Sequence, residues 1–169
     1  MSNPASEPEY RPCVGILVLN QDGLVWMGRR FDESRSYNMG ELWQMPQGGI
    51  DPGEEPLEAA LRELYEETSM KSVEVIQESL DWVKYDLPAN IAKTGWRARY
   101  RGQIQKWFAV RFEGSDDEID IHDPGDGHKP EFDLWKWVPM AEVPAMIIAF
   151  KRDVYLSVVD EFADLANNT

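Results

Sequence analysis

Glu63, Glu66 and Glu67 stand at i, i+3 and i+4 in the segment Arg62-Glu63-Leu64-Tyr65-Glu66-Glu67. On a helix, at about 100° per residue, those three carboxylates share one narrow face. Like charges so close repel, and the face is costly unless a cation or a basic partner neutralises it. Arg62 neighbours the cluster and can neutralise part of it. Carboxylate oxygens are the hard donors that Mg²⁺ and Mn²⁺ prefer, above all where phosphate oxygens complete the shell. A divalent cation that also meets phosphate oxygens is therefore within reach of this spacing. The competing reading is an acidic helix face that water solvates.

A helix has to carry these residues, and the pattern from Pro56 to Thr68 supplies one. Proline suits the first turn, acids crowd the start, and Leu57, Ala60, Leu61 and Leu64 recur at helical spacing. Ahead of it, Pro46-Gln47-Gly48-Gly49-Ile50-Asp51-Pro52-Gly53 packs three glycines and two prolines into eight residues and reads as a shaped loop. Two apolar runs, Arg11 to Asn20 and Leu24 to Met27, flank Asp22-Gly23 and predict a β-hairpin. Strands are expected at Val73 to Ile76, Trp82 to Leu87, Gln103 to Phe112 and Trp135 to Val138. Ala89 to Arg101 reads as a connecting loop, and Gly114 to Lys129, acidic and turn-rich, as an exposed one. Tyr155, Val158, Val159, Phe162 and Leu165 form the apolar face of a C-terminal helix. Strands, helix, strands, helix predicts an α/β fold with a mixed sheet flanked by helices.

A chain of 169 residues suggests one domain. Its 43% hydrophobic content, with 7 Trp, is too much burial material for a disordered polypeptide. The formal charge of -14 argues against wrapping DNA or long RNA and against docking on an anionic membrane. A polyanionic ligand must find a local basic pocket. Between Asp86 and Glu113 there is no acid, while Lys93, Arg97, Arg99, Arg101, Lys106 and Arg111 are present. That stretch either captures polyphosphate or merely balances the acidic remainder. Cys13 is alone and makes no internal disulfide, no signal peptide is evident, and no apolar run reaches the roughly 18 residues of a membrane span. A cytoplasmic protein is expected.

Gly48, five residues, Glu54, seven residues and then Arg62-Glu63-Leu64-Tyr65-Glu66-Glu67 closely resemble the loop-and-helix signature of the Nudix hydrolases. Six fixed letters coincide by chance at on the order of one start in ten million. One departure is Ser69, where the family pattern has glycine, which puts the local cap geometry in question. The resemblance implies a Nudix fold: an α/β/α sandwich with a central mixed β-sheet and a catalytic loop-helix-loop. It assigns Glu63, Glu66 and Glu67 to the metals, with the backbone carbonyl of Gln47 or Gly48 as a further ligand. Arg62 then orients the cluster and Glu54 braces the loop. The implied cofactor is Mg²⁺, or Mn²⁺, with two or more ions when substrate is bound. The general base stays open among Glu63, Glu67 and a late loop glutamate.

The resemblance extends over roughly residues 8–163. It runs through Tyr10-Arg11-Pro12, Arg29-Arg30, Trp43-Gln44-Met45-Pro46-Gln47, Gln105-Lys106-Trp107-Phe108, Pro130-Glu131-Phe132-Asp133 and Phe150-Lys151-Arg152-Asp153-Val154-Tyr155. These blocks resemble the RNA pyrophosphohydrolases and the related dinucleoside polyphosphate hydrolases. The implied substrate is a 5′-triphosphorylated RNA end, or alternatively a dinucleoside polyphosphate; any protein activator is left open. By the same resemblance Glu131 completes the metal site, Arg11, Arg29, Arg30, Gln47 and Lys106 contact substrate, and Phe150 with Lys151 holds a nucleobase. Met45, Trp135 and Trp137 read as packing, and His122 and His128 receive no role. The segment Asp32 to Leu42 is longer than in compact RNA enzymes and borders the active-site loop, which makes it a candidate selector. Residues 1–7 are expected to be a disordered leader and 164–169 a tail. A nucleotide sensor without turnover is the remaining alternative.

Overall fold

The computed structural model of the protein describes residues 9–30, 42–89 and 94–167. Strand β1 (Glu9–Leu19) runs through the middle of it, and its inner residues are apolar on both sides because both of its faces are covered. Val14, Ile16 and Val18 point to one core, Leu17 and Leu19 to the other. Strand β7 (Tyr100–Phe112) lies parallel to β1 and alternates likewise, with Phe108, Val110 and Phe112 on the first side and Trp107 and Ala109 on the second. Helix α1 (Pro56–Thr68) fills the first layer, helix α2 (Arg152–Phe162) the second. This is the expected α/β sandwich around a mixed sheet.

Strands β5 (Val73–Glu78) and β6 (Val83–Asp86) add antiparallel to β7. Strand β2 (Val25–Arg30) follows the expected turn, in which the Asn20 side chain accepts from the Asp22 and Leu24 amides and Gly23 takes a positive φ of 76°. The hairpin is short, with Leu19 facing Val25 as its single register pair. Strands β3 (Trp43–Gln44) and β4 (Gln47–Gly49) explain why: β4 takes the β1 edge from Cys13 to Gly15, so β2 diverges and pairs with β3 and with β8 (Phe132–Val138). That wedge brings the glycine-rich loop against the centre of the sheet.

Two expectations change. Leu57 and Leu61 are 40% and 37% exposed, whereas Ala59, Ala60, Leu64 and Glu67 are buried. The buried stripe of α1 is thus rotated toward 59, 60, 63, 64 and 67, and the carboxylates continue it toward the sheet. Residues 114–129 are not a simple exposed loop. Ile119 and Ile121 enter the α1-side core, the Asp120 amide donates to Thr68 O, and Glu118 accepts from the Lys71 and Ser72 amides. Of its acids, Glu118 caps the chain that leaves α1, Asp120 accepts from the His122 and Asp123 amides, and Asp116 accepts from Trp137 Nε1. Beyond α2, residues 163–167 form a 3₁₀ turn whose Leu165 and Ala166 pack on the α2-side core. Met45 is fully buried as expected, and Trp135 and Trp137 are half-buried in an aromatic cluster with Trp26 and Phe112. Residues 1–7, most of the 32–42 segment and 168–169 lie outside the described residues. No helix among the described residues is long and apolar enough to cross a membrane.

Candidate active site

Arg62 is the hub of the site. Its Nε donates to Glu54 Oε2 at 2.8 Å, Nη1 to Glu63 Oε1 at 2.9 Å and Glu66 Oε2 at 3.1 Å, and Nη2 to Glu54 Oε1 at 2.9 Å and Gly49 O at 3.0 Å. One planar fork therefore joins the loop to three carboxylates, a geometry lysine cannot reproduce. Glu54 also accepts the Asp51 amide, and the Arg62 hydrogen bond lowers its pKa to about 2. Ser69 keeps the left-handed cap (φ 67°) that glycine would favour, and its hydroxyl donates to Asp120 O. The departure from the family letter leaves the geometry of the helix end intact.

Gly48 sits against Glu63 so closely that a Cβ there would lie 2.0 Å from Glu63 Cδ. Strand β4 and helix α1 can meet this tightly only without a side chain at 48. Burial raises the Glu63 pKa, and burial with the neighbouring charges of Glu63 and Glu131 raises that of Glu67 well above the ordinary range. Glu67 Oε2 is buried with no hydrogen-bond partner. Glu67 thus keeps one buried oxygen that a bound cation or a proton would satisfy.

A cavity of about 320 Å³ opens over these groups. Gln47, Gly48, Gly49, Glu63, Glu67 and Glu131 line it, and so do Arg11, Arg30, Arg97 and Lys151 together with Tyr85, Trp96 and Phe150. Glu131 lies 3.6 Å from Arg30. Lys151, desolvated and near Arg30 and Arg97, has its pKa lowered to about 7. Burial pushes the Cys13 thiol up to about 11, which makes it a packing residue rather than a nucleophile.

Of the residues singled out in the sequence, the cavity gathers Arg11, Arg30, Gln47, Gly48, Glu63, Glu67, Glu131, Phe150 and Lys151. It does not gather Arg29, which forms a bidentate pair with Asp133, nor Lys106, whose Nζ lies 3.5 Å from Glu78 and 3.4 Å from Leu80 O. Adjacent residues on a strand face opposite sides, so one of each neighbouring pair is turned away. Glu66 is held outside the lining, between Arg62 and His128, whose Nε2 lies 3.2 Å from Glu66 Oε1. The sequence had given His128 no role.

The sequence reading also passed over Gln44, Tyr85, Leu87, Trp96 and Gln103 as lining residues. A usable signal existed for one group. Gln105 Nε2 donates to Gln47 Oε1 and Gln103 Oε1, and Trp107 Nε1 donates to Gln105 Oε1. Glutamines recurring every second residue in a buried strand mark a polar network, here one that fixes the Gln47 side chain.

The NUDIX domain family matches the chain over residues 9–158. The chain belongs to the Nudix family. The RNA pyrophosphohydrolase of Agrobacterium fabrum is 55% identical over 168 residues, spanning 98% of this Nudix protein and 99% of its own length. That of Rhodopseudomonas palustris is 55% identical over 159 residues, 94% of this chain and 91% of its own. A MutT protein from Methanosarcina mazei Go1 shares the Nudix fold at a TM-score of 0.64 and 20% identity, over 92% of this chain and 96% of that one.

The residues of this Nudix site fit divalent cations. The donor set is hard oxygen, three glutamates meet a single fork, and Glu67 Oε2 is orphaned. No three His, Cys, Asp or Glu side chains among the described residues converge as a ready cage, since Glu63 and Glu66 are turned onto Arg62.

Proposed function

We propose that this Nudix protein is an RNA 5′-pyrophosphohydrolase, converting 5′-triphosphate RNA to 5′-monophosphate RNA and pyrophosphate. The carrying observation is that one cavity joins half-buried Glu63 and buried Glu67 to Arg11, Arg30, Arg97 and Lys151 and to the Tyr85 and Phe150 rings. A polyphosphate needs the first two parts and a nucleobase the third. Near-full-length likeness to named RNA pyrophosphohydrolases supports the choice of substrate. The catalytic unit is a single domain over residues 8–163, acting in cytoplasmic RNA turnover, with neither DNA nor membrane as a partner.

Bound Mg²⁺ or Mn²⁺, two or more ions with substrate present, would supply charge neutralisation on phosphate oxygens and acidify the attacking water. Glu63, Glu66, Glu67 and Glu131, with the Gln47 or Gly48 carbonyl, are the groups that would hold them. Arg62 and Glu54 keep helix and loop in register. Arg11 and Arg30 grip phosphate oxygens with planar forks, a recognition that reads no sequence. Water oxygen bonds to phosphorus, the bridging P–O bond breaks toward pyrophosphate, and the water proton passes to a carboxylate. Glu63, Glu67 and Glu131 line the cavity and can accept it; Glu66, held between Arg62 and His128, does not. Phe150 and Lys151 hold a nucleobase.

The test is side-by-side product analysis with Mg²⁺, using a short 5′-triphosphate RNA and diadenosine tetraphosphate. Faster conversion of the RNA with release of pyrophosphate is expected, and Glu67→Gln abolishes it. Faster conversion of the dinucleotide would make the protein a dinucleoside polyphosphate hydrolase, and turnover of neither would leave a nucleotide sensor.

A further inference from the structure

Gln103, Gln105 and Trp107 alternate along β7 and so share one of its faces, the side toward α2. All three are buried. The indole of Trp107 is held from two directions. Its ring meets Tyr155 edge-on with centroids 5.5 Å apart, and a Cβ at Gly15 would stand 2.4 Å from its Cε2. Gly15 pairs with Trp107 on one side of β1 and with Gln47 of β4 on the other. From this wedged position Trp107 Nε1 donates to Gln105 Oε1 at 3.0 Å.

An indole N–H donates and never accepts, so the Gln105 amide atom that meets it has to be the oxygen. The Gln105 NH₂ group then points the other way, where Nε2 donates to Gln47 Oε1 at 3.1 Å and to Gln103 Oε1 at 2.8 Å. Each of those two glutamines has to offer its oxygen in turn. Both line the cavity, and with the oxygen engaged the NH₂ group is the end left to face it. Glu67 Oε2 takes neither donor, since it has no hydrogen-bond partner. A glutamine that could turn either way would meet a phosphate oxygen with an acceptor as readily as with a donor, and here one direction is set.

We propose that Trp107 and Gln105 are positioning residues that set the polarity of the cavity wall: the indole N–H fixes the Gln105 amide, which draws the oxygens of Gln47 and Gln103 to itself and leaves both NH₂ groups as donors for the phosphate oxygens of the substrate. Neutral donors hold a polyphosphate without becoming tied to a neighbouring carboxylate, as the Arg62 guanidinium is to Glu63. This inference deepens the RNA pyrophosphohydrolase reading and rests on it for the phosphate ligand.

The experiment follows the side-chain amide signals of Gln47 and Gln103 and the Trp107 indole N–H signal by NMR while pyrophosphate is added with Mg²⁺, and compares wild type with Gln105→Met in steady-state kinetics on triphosphate RNA. In wild type both glutamine signals are expected to shift. Methionine keeps the length of the side chain and removes both hydrogen-bonding ends, so Gln47 and Gln103 are released to turn. Gln105→Met should weaken pyrophosphate binding and raise KM for the RNA about tenfold each, leave kcat within about threefold, and move the Trp107 indole signal before any ligand is added. A merely structural loss would fall on kcat instead, because β4 also carries Gly48 against Glu63. Glutamine signals that stay in place at the highest pyrophosphate concentration, a KM within about twofold of wild type, or a loss confined to kcat overturns the relay. The wild-type titration decides by itself if Gln105→Met does not fold. A wild type whose two glutamine signals shift with pyrophosphate yet which leaves triphosphate RNA intact keeps the relay and refutes the proposed activity instead.

Discussion

Gly48→Ala is the perturbation that reads the active-site geometry most directly. The new methyl carbon would stand 2.0 Å from Glu63 Cδ and 2.2 and 2.4 Å from its two oxygens. Ordinary contact begins near 3.4 Å, so moving Cδ from 2.0 Å to that distance displaces the carboxyl by about 1.4 Å. Strand β4 cannot yield instead, because Gly48 is paired with Val14 in the sheet. The backbone at 48 has no positive φ, so alanine meets no strain of its own there. Retreat of Glu63 breaks its 2.9 Å bond from Arg62, a charge-assisted interaction worth about 1.5–3 kcal/mol, while alanine recovers about 0.4–1 kcal/mol through the unfolded chain. The net loss of stability is about 1–2 kcal/mol. The catalytic loss should be much larger, since a misplacement of about 1 Å costs about 100-fold in rate. Steady-state kcat/KM on triphosphate RNA at saturating Mg²⁺, with a thermal melt of the same sample, separates the two. A variant within about threefold of wild-type kcat/KM would refute the claim that Glu63 must occupy this position.

Three further outcomes follow from the same geometry. Glu67→Gln replaces a buried, partly unpaired carboxylate by an uncharged group of the same shape, so chelator-treated protein should melt at or above the wild-type temperature while turnover falls by about 100-fold or more; a marked drop in melting temperature would show the charge to be stabilising. Arg62 lowers the Glu54 pKa from 4.5 to about 2, so the native state binds fewer protons than the unfolded chain between those values. The stability this pair contributes is complete above the unfolded value and is lost as pH falls toward 2, so the advantage of wild type over Glu54→Gln in melts from pH 7 to pH 2 should shrink on acidification; parallel curves would contradict it. Lys106→Gln removes a side chain paired with Glu78 and turned from the cavity, and should change kcat/KM by less than about threefold; a tenfold loss would return Lys106 to the substrate site.

What the sequence determined by itself was whatever is local. Helix α1 runs from Pro56 to Thr68 as its periodicity predicted, because capping and spacing act within a few residues. The roles expected of Arg62, Glu54, Glu63 and the glycine-rich loop came from a family resemblance that fixed spacing across one loop and one helix makes legible. Tertiary structure decided what depends on partners far along the chain. Arg30 reaches the cavity while Arg29 turns to Asp133, because β2 pairs with β8 rather than staying in a long hairpin with β1. Ala59 rather than Leu57 is buried because the helix turns its carboxylate edge toward β4. His128 meets Glu66 because the acidic stretch after β7 folds back against α1, and Trp96 lines the cavity because the turn before β7 packs beside Arg11. Periodicity shows that a side chain alternates or recurs, but not which face its neighbours will cover. That choice belongs to strand pairing and layer packing, whose partners lie tens of residues apart.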